Sequence, residues 1–228
     1  MARSIDARFM GRVAYAEAAD IQERLVRSLA SGEGGEAFLL LEHPHVLTLG
    51  RGANPDHLLL DEATRAARGI GIHATGRGGD VTYHGPGQLV GYPILDLRPD
   101  RCDVHRYMRD LEEVLIRTAG DFGVAAGRAA GLTGVWVRGR KLAAIGVRVS
   151  RWITSHGFAL NVTTDLSYFG HIVPCGIQGK GVTSIEAETG RAWPLTDVAA
   201  SAAAHLGRVF DRDVTGALAP PRLRAGAA

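Results

Sequence analysis

Residues 134–161 constrain the fold most. They run Val135-Trp136-Val137, a turn candidate at Arg138-Gly139-Arg140, then two longer stretches over 141–149 and 153–162, all rich in β-formers and poor in helix formers. Consecutive antiparallel strands are the simplest reading. Shorter apolar segments at 37–41, 46–49, 80–84 and 89–97 read as further strands, the last two framed by glycine- and proline-rich turns. Helical spacing predicts an amphipathic helix over 16–29 that the Ser31-Gly32-Glu33-Gly34-Gly35 stretch stops, a brief one over 61–68 and an Ala-rich one over 195–209. The strongest is 103–122, with Val104, Tyr107, Met108, Leu111, Val114, Leu115 and Thr118 on one face and Asp103 placed as its cap. The sum is an α+β domain, a mixed β-sheet with helices packed on one side.

At 228 residues the chain can bury one substantial core but not two. One domain is expected over 1–216, and the Pro/Ala-rich 217–228 has little to bury and reads as a flexible tail. Apolar runs fall well short of membrane-spanning length and the N-terminus lacks a basic-then-apolar order, so a cytoplasmic protein with no membrane role is expected. Net charge is +2, and the basic side chains are nearly all arginine, with Lys141 and Lys180 the two lysines. No lysine-rich run, aromatic platform or paired-cysteine finger points to nucleic acid; modest basic patches suit an acidic protein partner instead.

Candidate chemistry is sparse. The Gly76-Arg77-Gly78-Gly79 loop leads into a strand pattern rather than a helix, so neither a phosphate loop nor a dinucleotide fingerprint is present, and taken alone it reads as a structural turn. The histidines are scattered without metal-ligand spacing, so no metal site is expected. His84 read singly is a turn histidine bonded to the Gly-Pro-Gly loop that follows. Of the two cysteines, Cys102 has acidic neighbours that disfavour a thiolate, and a disulfide between them is the less expected use. Cys175 follows Pro174 and precedes Gly176, a setting that exposes a nucleophile, although an inert core thiol is the commoner use of a cysteine. Lys141 leads from a turn into the apolar strand Leu142-Ala143-Ala144-Ile145; it is either a partly desolvated base or an exposed strand-end lysine.

Four blocks in order, Arg77-Gly78-Gly79-Asp80-Val81-Thr82-Tyr83-His84-Gly85-Pro86-Gly87-Gln88, Gly139-Arg140-Lys141-Leu142-Ala143-Ala144-Ile145-Gly146-Val147-Arg148, His156-Gly157-Phe158-Ala159-Leu160-Asn161-Val162 and Pro174-Cys175-Gly176, resemble the octanoyltransferase family of lipoate biosynthesis. The first is specific; the last alone is weak. The resemblance implies a catalytic fold shared with biotin and lipoate protein ligases, octanoyl-acyl carrier protein as donor, and as acceptors the lipoyl domains of 2-oxoacid dehydrogenase complexes and the glycine cleavage H protein. It implies no cofactor. By the same resemblance Cys175 falls at the acyl-thioester nucleophile, Lys141 at the lysine that activates it, and Arg77, Gly78, Gly79, Asp80, Val81, Thr82, Tyr83, His84, Ala144, Ile145, Gly146, Gly157, Phe158 and Ala159 at substrate-binding segments.

The chemistry is self-consistent. A Cys175 thiolate stabilised by the Lys141 ammonium exchanges with a thioester at little energetic cost, and the amide then formed is more stable than the thioester consumed, so ATP is not required. His84 becomes a catalytic candidate that orients one of these groups, and Arg138, Arg140, Arg148 and Arg151 are candidates for docking acidic partners. The rivals are an ATP-dependent ligase on the same fold, a cysteine hydrolase using Cys175 with His84 or His156, and a non-catalytic carrier-binding protein.

Overall fold

The computed structural model describes residues 3–173 and 181–218. The chain opens with β1 (Arg3–Arg12) and α1 (Tyr15–Ser31), followed by β2 (Glu36–Glu42), β3 (Val46–Leu49) and α2 (Glu62–Ala67). Next come β4 (Gly71–Ala74), β5 (Val81–His84), β6 (Gln88–Ile94) and α3 (Val104–Asp121). Strands β7 (Gly127–Ala129), β8 (Leu132–Val137), β9 (Arg140–Ser150) and β10 (Ile153–Asn161) precede α4 (Ile185–Thr189), α5 (Leu195–Phe210) and β11 (Arg212–Thr215). The strands form an eight-stranded sheet, β11-β1-β2-β6-β10-β9-β8-β7, and a three-stranded one, β4-β3-β5.

The expected run β8–β9–β10 pairs antiparallel throughout, and β6 and β2 extend it in the same sense. In the large sheet, among the described residues, β1 alone is parallel to its neighbours, to β2 on one side and β11 on the other, which makes the sheet mixed and the class α+β. Local signals set the helix ends. Asp103 caps α3 by accepting from the Arg106 N–H at 3.0 Å, and α1 stops at Gly32, whose φ of 79° returns its N–H to the preceding turn.

Helices cover both faces of the large sheet, a correction to the one-sided packing expected above. On one face Phe38, Leu40, Leu89, Phe158 and Leu160 pack with Leu111 and Leu115 of α3 and Val198, Leu206 and Phe210 of α5. On the other, the alternate residues Leu39, Leu41, Val90, Tyr92 and Ala159 meet Ala18, Ile21 and Leu25 of α1. The uninterrupted apolar run 37–41 is what a strand buried on both faces requires, because side chains of either parity leave water. The small sheet stands beside α1 on that second face, tied to the large one where the Gly78 N–H donates to Val147 O at 3.0 Å, and has its own core of Leu47, Ile70, Val81, Tyr83 and Ile172. Among the described residues no helix is long and apolar enough to cross a membrane. The tail expected from residue 217 lies, from 219 onward, outside the described residues.

Candidate active site

Between α1 and the small sheet a strip of the large sheet stays uncovered, and there an open cleft spans about 480 Å³. Its floor is built from small residues that pair across β9 and β10: Ala144 stands opposite Ala159 and Gly146 opposite Gly157. Gly157 has no room for a side chain, and Gly146 has little. A Cβ at Gly157 would sit 2.2 Å from Gly91 O, and one at Gly146 would press on Arg77 Cδ at 3.1 Å and Gly78 O at 3.2 Å. The loop carrying Arg77 therefore rests directly on β9 and forms one wall, with Thr82 and His84 of β5 beside it and Tyr15, at the start of α1, across the cleft.

At one end the cleft adjoins a second space of about 320 Å³, whose lining shares Thr82, Ala144 and Ala159 and adds Lys141, Gln88 and Asn161. Strand parity alone would send Lys141 the other way, into the helix-side core with Ala143, Ile145, Val147 and Val149. A bulge corrects this: Val135 pairs with Ala143 but Trp136 with Lys141, so Leu142 is the extra residue and joins Ala143 on the core side. Lys141 is thereby turned to the cleft face. It is only 8 % exposed, and its Nζ lies 4.9 Å from the centre of the Trp136 ring. Its backbone receives the chain at 181–183: Lys141 N–H donates to Gly181 O and Thr183 N–H to Lys141 O, both at 2.9 Å. Cys175 itself lies outside the described residues, as do Pro174 and Gly176.

A buried polar chain ties the Arg77 wall to the Lys141 end. Gln88 Nε2 donates to Tyr83 O at 3.2 Å and Asn161 Oδ1 at 2.9 Å, which turns its Oε1 to His84 Nδ1, 2.7 Å away. His84 Nδ1 therefore carries the proton, and Nε2 accepts from Thr48 Oγ1 at 3.3 Å, which in turn accepts from Arg77 Nη2 at 2.9 Å. Asn161 Nδ2 completes the chain by donating to Thr183 O at 2.9 Å. Burial, then the neighbouring His43, push the His84 pKa down to about 3, so the imidazole is neutral with both nitrogens engaged. Burial likewise lowers His43 and His156 to about 4. His43 Nδ1–H donates to Val13 O at 2.7 Å and Nε2 accepts from Tyr92 O–H at 2.8 Å. The surface the cleft exposes is mainly apolar and, apart from Arg77, uncharged, which suits an apolar ligand.

Of the residues assigned to substrate binding by resemblance, Arg77, Gly78, Gly79, Thr82, His84, Ala144, Ile145, Gly146, Gly157, Phe158 and Ala159 all line the cleft. Of these, Ile145 and Phe158 turn their side chains to the helix-side core, and three further residues lie outside the cleft altogether. Val81 and Tyr83, of opposite parity to Thr82 and His84, fill the core of the small sheet. Asp80 ties down its own loop, accepting from Asn54 N–H at 3.0 Å and pairing with His57. Tyr15, Tyr92 and His156 complete the lining and carried no sequence signal as a set. Their juxtaposition joins α1, β6 and β10, which are distant in sequence. His156 reaches the cleft through a φ of 56°, which breaks the strand alternation. A Ser201–Asp121–His205 contact between α3 and α5 is no hydrolase triad: Ser201 Oγ and His205 Nε2 both bond Asp121 Oδ2, at 2.6 and 2.9 Å, so the histidine does not serve the serine. Among the described residues no group of His, Cys, Asp or Glu is placed to hold a metal ion.

Comparison with known proteins places this architecture. Residues 14–207 match the lipoyl protein ligase A/B catalytic domain. An octanoyltransferase of Solibacter usitatus is 56% identical over 204 residues, covering 90% of this chain and 92% of its own, and one of Acidobacterium capsulatum is 52% identical over 220 residues, covering 90% and 89%. Among solved structures, a T. acidophilum protein described as a lipoate protein ligase, with bound lipoic acid, superposes with a TM-score of 0.75 over 95% of this chain and 89% of its own, at 14% identity. A lipoate-protein ligase A bound with ATP gives 0.69 over 94% and 90%, at 13% identity. At such identities the structures speak for the shared fold alone, whereas the sequence relatives carry the family: the chain belongs to the lipoyl protein ligase A/B catalytic-domain family and, within it, to the octanoyltransferases.

Proposed function

We propose that the protein moves an octanoyl group from octanoyl-acyl carrier protein to a lysine of lipoyl domains and of the glycine cleavage H protein, through an acyl thioester on Cys175. The observation that carries this reading is that the space where the bulge aims Lys141 adjoins the small-residue cleft, the two sharing Thr82, Ala144 and Ala159. An acyl tail laid on that floor leaves water, at about 0.8 kcal/mol per methylene, with its carbonyl toward Lys141.

In the first half the Cys175 thiolate, paired with the Lys141 ammonium, attacks the donor thioester carbonyl. The carrier thiolate leaves and takes a proton from Lys141, so the thioester count is unchanged and Lys141 is left neutral. In the second half the acceptor amine attacks acyl-Cys175, neutral Lys141 takes the proton the new amide sheds, and Cys175 departs as the thiolate it began as. No ATP enters. His84, neutral and doubly bonded, acts as a positioning residue: it holds Gln88 and, through it, Asn161 beside Lys141.

Intact mass spectrometry after mixing with octanoyl-acyl carrier protein tests this directly. Wild type is expected to gain one octanoyl mass that an added lipoyl domain removes, and Cys175→Ala to gain none. Acceptor labelling that requires ATP and free octanoate, with no adduct, would replace the transferase with a ligase.

A further inference from the structure

We infer that Tyr15 and His156 form the partition that sets the acyl-chain length, an inference that rests on the transferase reading above. Beyond the cleft's far end, away from Lys141, a second groove of about 1060 Å³ runs between α1 and the ends of β9 and β10. Tyr15 and His156 are the two residues that line both spaces. They are the wall between them.

Both are held in place. Tyr15, the first residue of α1, is 7 % exposed and wedged between the rings of His43 and His73, 5.3 and 5.2 Å away. His156 takes a φ of 56°, its N–H donates to Gln22 Oε1 at 2.8 Å, and its ring meets Tyr92 edge-on at 6.3 Å. A histidine in the left-handed region costs on the order of 1 kcal/mol or more, and what it obtains is a side chain turned out of strand parity: Val147, its partner on β9, faces the helix-side core while His156 closes the cleft.

The spacing agrees. Between Ala144, where the cleft meets the Lys141 end, and Val147, opposite His156, β9 advances about 10 Å, the scale of an extended eight-carbon chain and well short of a fourteen-carbon one. Past the partition the lining turns polar, with Glu23, Arg27, Arg148 and Arg151 around an apolar strip of Ala19, Val26 and Ile153. A longer tail is stopped by the two rings; with either removed, that strip is there to receive it.

The test is competition between octanoyl-, dodecanoyl- and tetradecanoyl-acyl carrier protein, read as ratios of kcat/KM. His156→Gly is the first variant because glycine adopts a φ of 56° without strain, so it removes the ring without endangering the fold. Tyr15→Ala is the second, and Tyr15→Phe, which keeps the ring, the control. Both openings are expected to raise the tetradecanoyl-to-octanoyl ratio about 10-fold or more, while Tyr15→Phe keeps the wild-type preference. Folded variants whose ratio does not move, or which lose octanoyl transfer without gaining length, overturn the partition. Wild type that transfers no acyl group overturns the transferase reading instead. Thermal-shift titration with octanoate and tetradecanoate then still reads the wall: long-chain binding gained by His156→Gly supports it, and identical profiles sink it.

Discussion

On β9 and β10 the face toward α3 and α5 carries Leu142, Val147, Phe158 and Leu160, and the opposite face carries Ala144, Gly146, Gly157 and Ala159. The same strands thus offer large side chains to one side and almost none to the other. Large chains interdigitate with helices and are unforgiving of change, because interiors pack like crystals. Small ones leave space open, and around it stands a hydrogen-bonded set of neutral histidines, tyrosines and amides. Stability is concentrated on one face of the sheet and chemistry on the other.

Acid should break this division most strongly, and from the cleft side. Unfolded histidine takes a proton near pH 6.5, whereas His43 and His156 wait until about 4 and His84 until about 3. Their folded pKa values are depressed below the unfolded one, so the neutral form's stability is fully present above pH 6.5 and is lost as pH falls toward 4. At about 1.4 kcal/mol per unit for each group, the unfolding free energy from urea titration should fall by several kcal/mol between pH 6.5 and 4, and His156→Gly should make that slope shallower. A slope unchanged in that variant would place the acid sensitivity elsewhere.

Next come paired substitutions on the two faces. Lys141→Met should cut transfer by about 10²- to 10⁴-fold with the melting temperature nearly kept, as steady-state rates and a thermal melt will show. Phe38→Ala, on the helix side, should do the reverse, costing about 3 to 5 kcal/mol in urea unfolding while refolded protein keeps the wild-type acyl preference. Ala144→Leu sharpens the contrast further by filling the cleft: octanoyl transfer should drop about 10-fold or more with stability little changed. The smallest effect belongs to the rim. Arg138 is largely exposed and shares the buried Glu188 carboxylate with Arg140, so Arg138→Ala should cost less than about 1 kcal/mol. A larger loss in transfer than in stability would mark it as part of a docking surface for an acidic carrier.

Periodicity and caps made much of the scaffold legible. The run 134–161 reads most simply as strands, Asp103 and the seven positions on one face after it define α3, and the glycine-punctuated blocks carry the family resemblance, whose segments include eleven residues of the cleft. Parity within β5 already separates Thr82 and His84 from Val81 and Tyr83. These are short-range properties, written within a few residues of one another.

Long-range pairing decided the rest. β1, with its mixed composition, is a strand because β2 and β11 bond it from either side, one 30 or so residues away and the other at the far end of the chain. Helices cover both faces because α1 reaches the side that α3 and α5 leave bare. The bulge at Leu142 that aims Lys141, the positive φ that turns His156, and the meeting of Tyr15, Tyr92 and His156 all depend on which strand or helix lies alongside. A sequence specifies what each segment prefers; where a side chain points at a bulge or a strained φ is settled only when the neighbours that compensate it are in place.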